Sequence, residues 1–286
     1  MIDFGIHPFI WTSSWNHESV HLIERAQHIG FQALDIPVRT LDDRDIHATR
    51  TKLDALSMRV VAVAGVGEPY NLISDEESVR QTTVRYLKKL VRNTHAIGGN
   101  ILAGPYYASM GTLVGRGPTD EELEHSAHGL KEVARFAMDL GVKLALEPLN
   151  RYETYLINTS EQGLRMIERI GEPNVGLQLD TYQMNIEEKD FYAAIINAGD
   201  RLFHCHVCEN DRGIPGTGLV RWDRVFQALR DINYQGAVSI ESFVSSIPEI
   251  AAATCIWRSL APDGDTLARE GLTFLRSMAQ KYGLAE

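Results

Sequence analysis

The sequence predicts an α/β protein folded as a single (β/α)8 TIM barrel, one domain over residues 1–286. Three observations predict it. Short β-rich runs alternate eight times with segments of helical periodicity. Several helical segments end in glycine directly before the next strand, where a left-handed residue would close the helix. The strands, as in "LGVKLALEP" (140–148), are nearly continuous apolar runs, as parallel strands covered on both faces require.

Strand 4–8 opens the chain, and helix 19–29 follows, closed by Gly30. Strand 33–36 leads to helix 42–56, and strand 59–64 to helix 76–97, closed by Gly98. Strand 100–103 is followed by the irregular segment 104–119 and by helix 120–140, closed by Gly141. Strand 143–146 precedes helix 160–170, and strand 176–179 precedes helix 188–198, closed by Gly199. Strand 202–207 precedes helix 222–232; strand 237–240 is followed by a second irregular stretch, to residue 265, and by helix 266–282. Eight such units fit a closed barrel better than an open doubly wound sheet, and no GxGxxG follows the first strand. No Pro- or Ser-rich linker divides the chain. Both irregular segments follow strands and so belong at the C-terminal mouth, where barrels carry their active sites.

Composition narrows the function. The chain is 44% hydrophobic and 23% charged, and no apolar run of about 18 residues could span a membrane. The N-terminus has no basic segment leading into a long apolar one, so no secretory signal is read and the cytoplasm is expected. Cys205, Cys208 and Cys255 make an odd count, which argues against a disulfide framework; the CxxC of Cys205 and Cys208, without a second pair, reads as incidental. A net charge of −10 disfavours an extended nucleic-acid surface and leaves a small neutral or cationic ligand.

In "LALEPLN" (144–150) an apolar run ends at Glu147, and the next three strands supply its counterparts: Asp180 ending "LQLD", His206 in "HCH", and Glu241 after "SI". The separations of 33, 26 and 35 residues are each about one β-α unit, so the barrel places all four around one mouth. Three carboxylates and an imidazole form a hard, oxygen-rich set suited to Mn²⁺ or Mg²⁺, with Co²⁺ accessible through the histidine. Without a cation such a cluster would raise the pKa of at least one of its carboxyls. His204 shares the parity of His206, one layer deeper, as a core histidine supporting the metal shell.

"EPLNRYE" (147–153), "LDTYQMNIEE" (179–188), "HVCENDRGIPGTG" (206–218) and "SIESF" (239–243) together resemble the ketose 3-epimerases, which include D-tagatose and D-psicose (allulose) 3-epimerases, among the xylose isomerase-like barrels. The resemblance implies one Mn²⁺ or Co²⁺ on Glu147, Asp180, His206 and Glu241, with Glu147 and Glu241 doubling as acid and base. Inverting a carbon beside a ketone requires a proton to leave one face and another to arrive on the opposite face, hence two carboxyl groups. An ion on the carbonyl and adjacent hydroxyl oxygens would stabilise the enediolate between. Glu153 and Arg212 match positions that bind the carbonyl end of the sugar; Phe243 and Trp15 match pocket aromatics. The resemblance also implies a homodimer or homotetramer.

The sequence departs from the family at Gln183, where histidine is usual; glutamine bonds a sugar oxygen but takes up no proton near neutrality. His7, more polar than expected at the far end of a ketose pocket, and the hydroxyls of Tyr106 and Tyr107 point to a substrate other than fructose or tagatose. Rival readings are an epimerase, isomerase or dehydratase of a keto-inositol or keto-glycoside, and an aldose–ketose isomerase, which typically needs two metals. An endonuclease of the same superfamily would need more ligands and a basic groove, and a metal-dependent sugar-binding or regulatory barrel would bind without turnover.

Overall fold

The structure, a computed structural model, describes residues 1–285, so Glu286, last residue of the expected domain, lies outside it. Eight parallel strands close into a barrel in chain order: β1 (Asp3–Ile6), β2 (Ala33–Pro37), β3 (Arg59–Val63), β4 (Ile101–Gly104), β5 (Lys143–Leu146), β6 (Val175–Asp180), β7 (Leu202–Val207) and β8 (Ala237–Ile240). Closure comes from β1 pairing with β8, with Gly5 opposite Ser239 and Ile6 opposite Ile240. Around them run α1 (His21–Ile29), α2 (Asp43–Leu56), α3 (Glu77–Ala96), α4 (Asp120–Asp139), α5 (Ser160–Ile170), α6 (Thr181–Glu187), α7 (Phe191–Ala198), α8 (Trp222–Asp231), α9 (Pro248–Thr254) and α10 (Gly264–Tyr282). The helices bury apolar stripes such as Leu87, Leu90 and Val91 of α3 and Leu130 and Val133 of α4 against the barrel wall. None among the described residues is long and apolar enough to cross a membrane.

The structure differs from the sequence expectation at a few element ends. The first strand stops at Ile6 rather than at Pro8, because Pro8 opens a short 3-10 helix, Pro8–Ile10, whose Phe9 N–H donates to Nδ1 of His7. Proline suits a first helical turn, where its missing N–H would have found no partner. The helix expected over 188–198 starts at Phe191, and α6 precedes it, beginning directly at the end of β6. Each helix has its own aspartate cap: Asp180 accepts the Tyr182 N–H and Asp190 the Tyr192 N–H, both at 2.9 Å. The short helix α9 also lies within the stretch read as irregular, with Pro248 in its first turn. Gly30, Gly98 and Gly141 take φ of +113°, +87° and +68° as expected. Gly199, with φ +48° and ψ −128°, lies outside the left-handed helical region and opens a 3-10 turn.

Candidate active site

The ends of β5 to β8 carry the chemistry. Glu147 is the first residue past β5, Asp180 the last of β6, His206 the fifth of β7, and Glu241 the first past β8. One side-chain donor atom from each lies within 4.8 Å of all the others. Asp180, His206 and Glu147 are buried, and the Glu241 side chain is only 16% exposed. Three carboxylate oxygens and an imidazole nitrogen at this separation fit a hard divalent ion, and would hold it.

Arg212 holds this acidic ring together. Its Nη1 donates to Asp180 Oδ2 at 2.7 Å, to Glu241 Oε2 at 2.8 Å and to the Glu241 carbonyl at 3.2 Å. The guanidinium lies 4.1 Å over the Tyr182 ring and 5.3 Å over that of Phe243. It reaches the site from a tight loop in which Arg212 takes φ +68°, unusual for a residue with a side chain. Glu209 braces that loop from beneath. Fully buried, it accepts N–H groups from Gly216 at 2.7 Å, Val220 at 3.1 Å and the Trp222 indole at 2.7 Å.

The pKa values of the two glutamates are shifted in opposite directions. Burial and the neighbouring Glu241 charge push the Glu147 carboxyl well above its ordinary range. Burial opposes ionisation of Glu241 too, but His206 and Arg212 outweigh it and hold that carboxyl well down. His206 is likewise disfavoured as a cation by burial, yet Glu241 and Asp35 raise it well above the usual imidazole value. With no ion in the ring, clustered like charges thus drive the two carboxyls apart in pKa.

Gln183, buried on α6, is tied to the β5 loop: its Oε1 accepts the Asn150 backbone N–H at 2.8 Å and Asn150 Nδ2–H at 2.7 Å. Asn150 Nδ2 also donates to Glu153 Oε1 at 2.6 Å, towards which Gln183 Nε2 lies at 3.4 Å. His7 sits at the mouth end of β1, edge-on to His206 and to Phe243 at ring-centre distances of 6.5 Å in each case. Burial lowers its pKa to about 4. Tyr106 and Tyr107 are buried, and each spends its hydroxyl on a backbone carbonyl, Leu102 and Ile157 respectively. Trp15 is also buried, with its indole N–H donated to the Thr49 hydroxyl at 3.0 Å. The polar atoms of Trp15, Tyr106 and Tyr107 are therefore already engaged within the protein. Cys205, Cys208 and Cys255 are all free; Cys208 Sγ lies 3.5 Å from Arg212 Nη1.

Sequence reasoning missed Asn150, Glu209 and a group beneath the ring: Asp35 of β2, which bonds His204 and His206, and Ser239 of β8, which donates its hydroxyl to Asp35. The available signal for Asp35 was an acid in the middle of the apolar "ALDIP". Gln178 of β6 was missed as well. Its Nε2 lies 2.9 Å from His206 Nδ1, and its buried Oε1 finds no partner among the described residues.

The family model for xylose isomerase-like TIM barrels matches residues 23–278. An L-ribulose 3-epimerase of a Methylomonas species is 32% identical over 284 residues, covering 98% of each chain. A ketose 3-epimerase of Arthrobacter globiformis is 31% identical over 275 residues, covering 95% of each. Among solved structures, a D-allulose 3-epimerase of a Methylomonas species in complex with D-allulose superposes with a TM-score of 0.91 at 31% identity, covering 97% of each chain.

Proposed function

This chain belongs to the ketose 3-epimerases among the xylose isomerase-like TIM barrels, and from that premise we propose that it inverts the carbon next to the ketone of a free ketose by proton transfer between Glu147 and Glu241. It is an epimerase, an isomerase-class enzyme. One observation carries the reading. Glu147 and Glu241 directly follow β5 and β8, with Asp180 and His206 on the two strands between, so two carboxyl groups approach a common centre from different sides of the mouth. In this reading ionised Glu241 removes the proton from C3, and protonated Glu147 delivers one to the opposite face. Each carboxyl is then left in the state needed for the reverse reaction.

The four-residue ring would hold one divalent ion, Mn²⁺ by preference, with Co²⁺ or Mg²⁺ as alternatives. Bound there, the ion would stabilise negative charge at the ketone and neighbouring hydroxyl oxygens and so acidify the C–H between them. Arg212, Glu153 and Gln183 orient the carbonyl end of the sugar, and His7 and Phe243 line the pocket. Ketopentoses and ketohexoses are the substrate class. The free cysteines support a reducing, cytoplasmic setting. A homodimer or homotetramer is proposed on the resemblance to the family.

The test is proton exchange. The Mn²⁺-loaded protein is incubated in D₂O with ketopentoses, ketohexoses and keto-glycosides, and products are followed by NMR. Deuterium at C3 together with the C3 epimer of a free ketose is the expected result. Epimer formed without solvent deuterium, deuterium at another carbon, or loss of water would point instead to hydride transfer, a different isomerisation or a dehydratase.

A further inference from the structure

We propose that Asp35 is the positioning residue that makes His206 a nitrogen ligand through Nδ1, with His204 and Ser239 serving to hold the Asp35 carboxylate in place. The proposal rests on the metal-site reading above and extends it to residues outside the ring.

Asp35 lies in the middle of β2 with no exposed surface. A carboxylate in so dry a place needs donors on both oxygens. It has three: Oδ2 faces Nε2 of His206 at 2.8 Å and Nε2 of His204 at 2.9 Å, and Oδ1 accepts the Ser239 hydroxyl at 3.0 Å. A carboxylate only accepts, so both rings must carry their proton on Nε2. For His206 this settles the remaining nitrogen. Nδ1 is the atom facing the acidic ring, 3.3 Å from Glu241 Oε2. A neutral imidazole free to choose its tautomer would spend part of its time with a proton where an ion must bind; a fixed Nε2–H makes the Nδ1 proton the one given up when an ion binds.

The barrel has made room for this arrangement. Ser239 is opposite Gly5 in β1, and a Cβ at Gly5 would fall 2.2 Å from the Ser239 hydroxyl oxygen. Any side chain there would drive the serine off Asp35. The cluster Asp35, His204 and His206 could itself be taken for a second metal site. The shared acceptor argues otherwise: both rings point a donor at one oxygen, and an ion would have to displace both protons from a fully buried carboxylate whose second oxygen is already bonded.

The decisive experiment uses the full chain labelled with ¹⁵N-histidine and stripped with chelator, with His204→Gln and His206→Gln for assignment. Long-range ¹H–¹⁵N spectra should show slowly exchanging Nε2–H protons on both rings. Asp35→Asn should lose that protection, and calorimetry should show its Mn²⁺ affinity lowered about 10- to 100-fold. A His206 ring protonated on Nδ1 with Nε2 bare in the unsubstituted protein overturns the proposal, as does an Asp35→Asn protein binding Mn²⁺ as tightly as the parent. Should Asp35→Asn not fold, Ser239→Ala probes the same carboxylate. Faster Nε2–H exchange supports the proposal; unchanged exchange with unchanged Mn²⁺ affinity counts against it. If the parent protein takes up no Mn²⁺, the metal reading falls, whereas the spectra, recorded without metal, still decide the role of Asp35.

Discussion

Gln183 turns its side-chain oxygen onto the backbone N–H of Asn150 at 2.8 Å, so that this amide can offer the pocket only its N–H donors. Substituting Gln183→His should therefore change substrate preference. An imidazole offers one acceptor nitrogen where the glutamine oxygen takes both Asn150 N–H groups, so Asn150 would lose one of these bonds and loosen its hold on Glu153. Relative kcat/KM over a panel of ketopentoses and ketohexoses is the measurement, and an unchanged ranking would show that Gln183 does not select the substrate.

Glu147→Gln and Glu241→Gln should each reduce turnover by about 10²- to 10⁴-fold while sugar still binds, since each removes one proton carrier and leaves the other. Single-turnover deuterium incorporation separates them from binding defects. A fully active variant of either glutamate would dismiss the two-base mechanism.

Chelation should abolish epimerisation, and Mn²⁺ or Co²⁺ should restore it. Because an ion held by four residues of the folded barrel has no such site in the unfolded chain, melting temperature should rise with ion concentration, by about 2.7 kcal/mol of stability at 100 times Kd. Melting curves indifferent to both chelator and Mn²⁺ would argue that the ring holds no ion.

Arg212→Met should destabilise the ion-stripped protein by about 3–5 kcal/mol, because Asp180 and Glu241 lose a cation bonded to both. Added Mn²⁺ should recover more of this loss than it adds to the parent, since it supplies the missing positive charge. Chemical denaturation with and without Mn²⁺ gives both numbers.

His7 contributes a pH dependence whose sign is fixed by its lowered pKa. Between pH 6.5 and about 4 the unfolded chain takes up a proton on His7 that the folded chain refuses, so this group costs stability as pH falls through that window and costs nothing above it. His7→Asn, which keeps an acceptor for the Phe9 N–H, should be more stable than the parent at pH 4 relative to pH 7, by roughly 3 kcal/mol at most. Parallel stability–pH curves for the two proteins would show that His7 titrates freely.

The sequence by itself determined the barrel and the four residues that meet at its mouth. Alternating β-rich runs and helical-period segments show which stretches bury two faces and which bury one, and acids placed a β-α unit apart at strand ends project to one rim in any closed parallel barrel. Strands β5, β7 and β8 have the bounds that local pattern predicts. Asp35 could not be tied to His204 and His206 this way, because its partners lie 169 and 171 residues away and face it only once β1 closes onto β8. The turn of Arg212 onto Asp180 and Glu241 was also decided by tertiary contacts, whereas the split of the 181–198 segment into two helices rests on local caps that periodicity does not register. Side-chain oxygens cap the two helices, and the buried carboxylate of Glu209 sets the loop bearing Arg212. Periodicity encodes which face of an element is buried; which polar atom answers which within the dry interior is fixed only when the ring closes and every donor must find an acceptor.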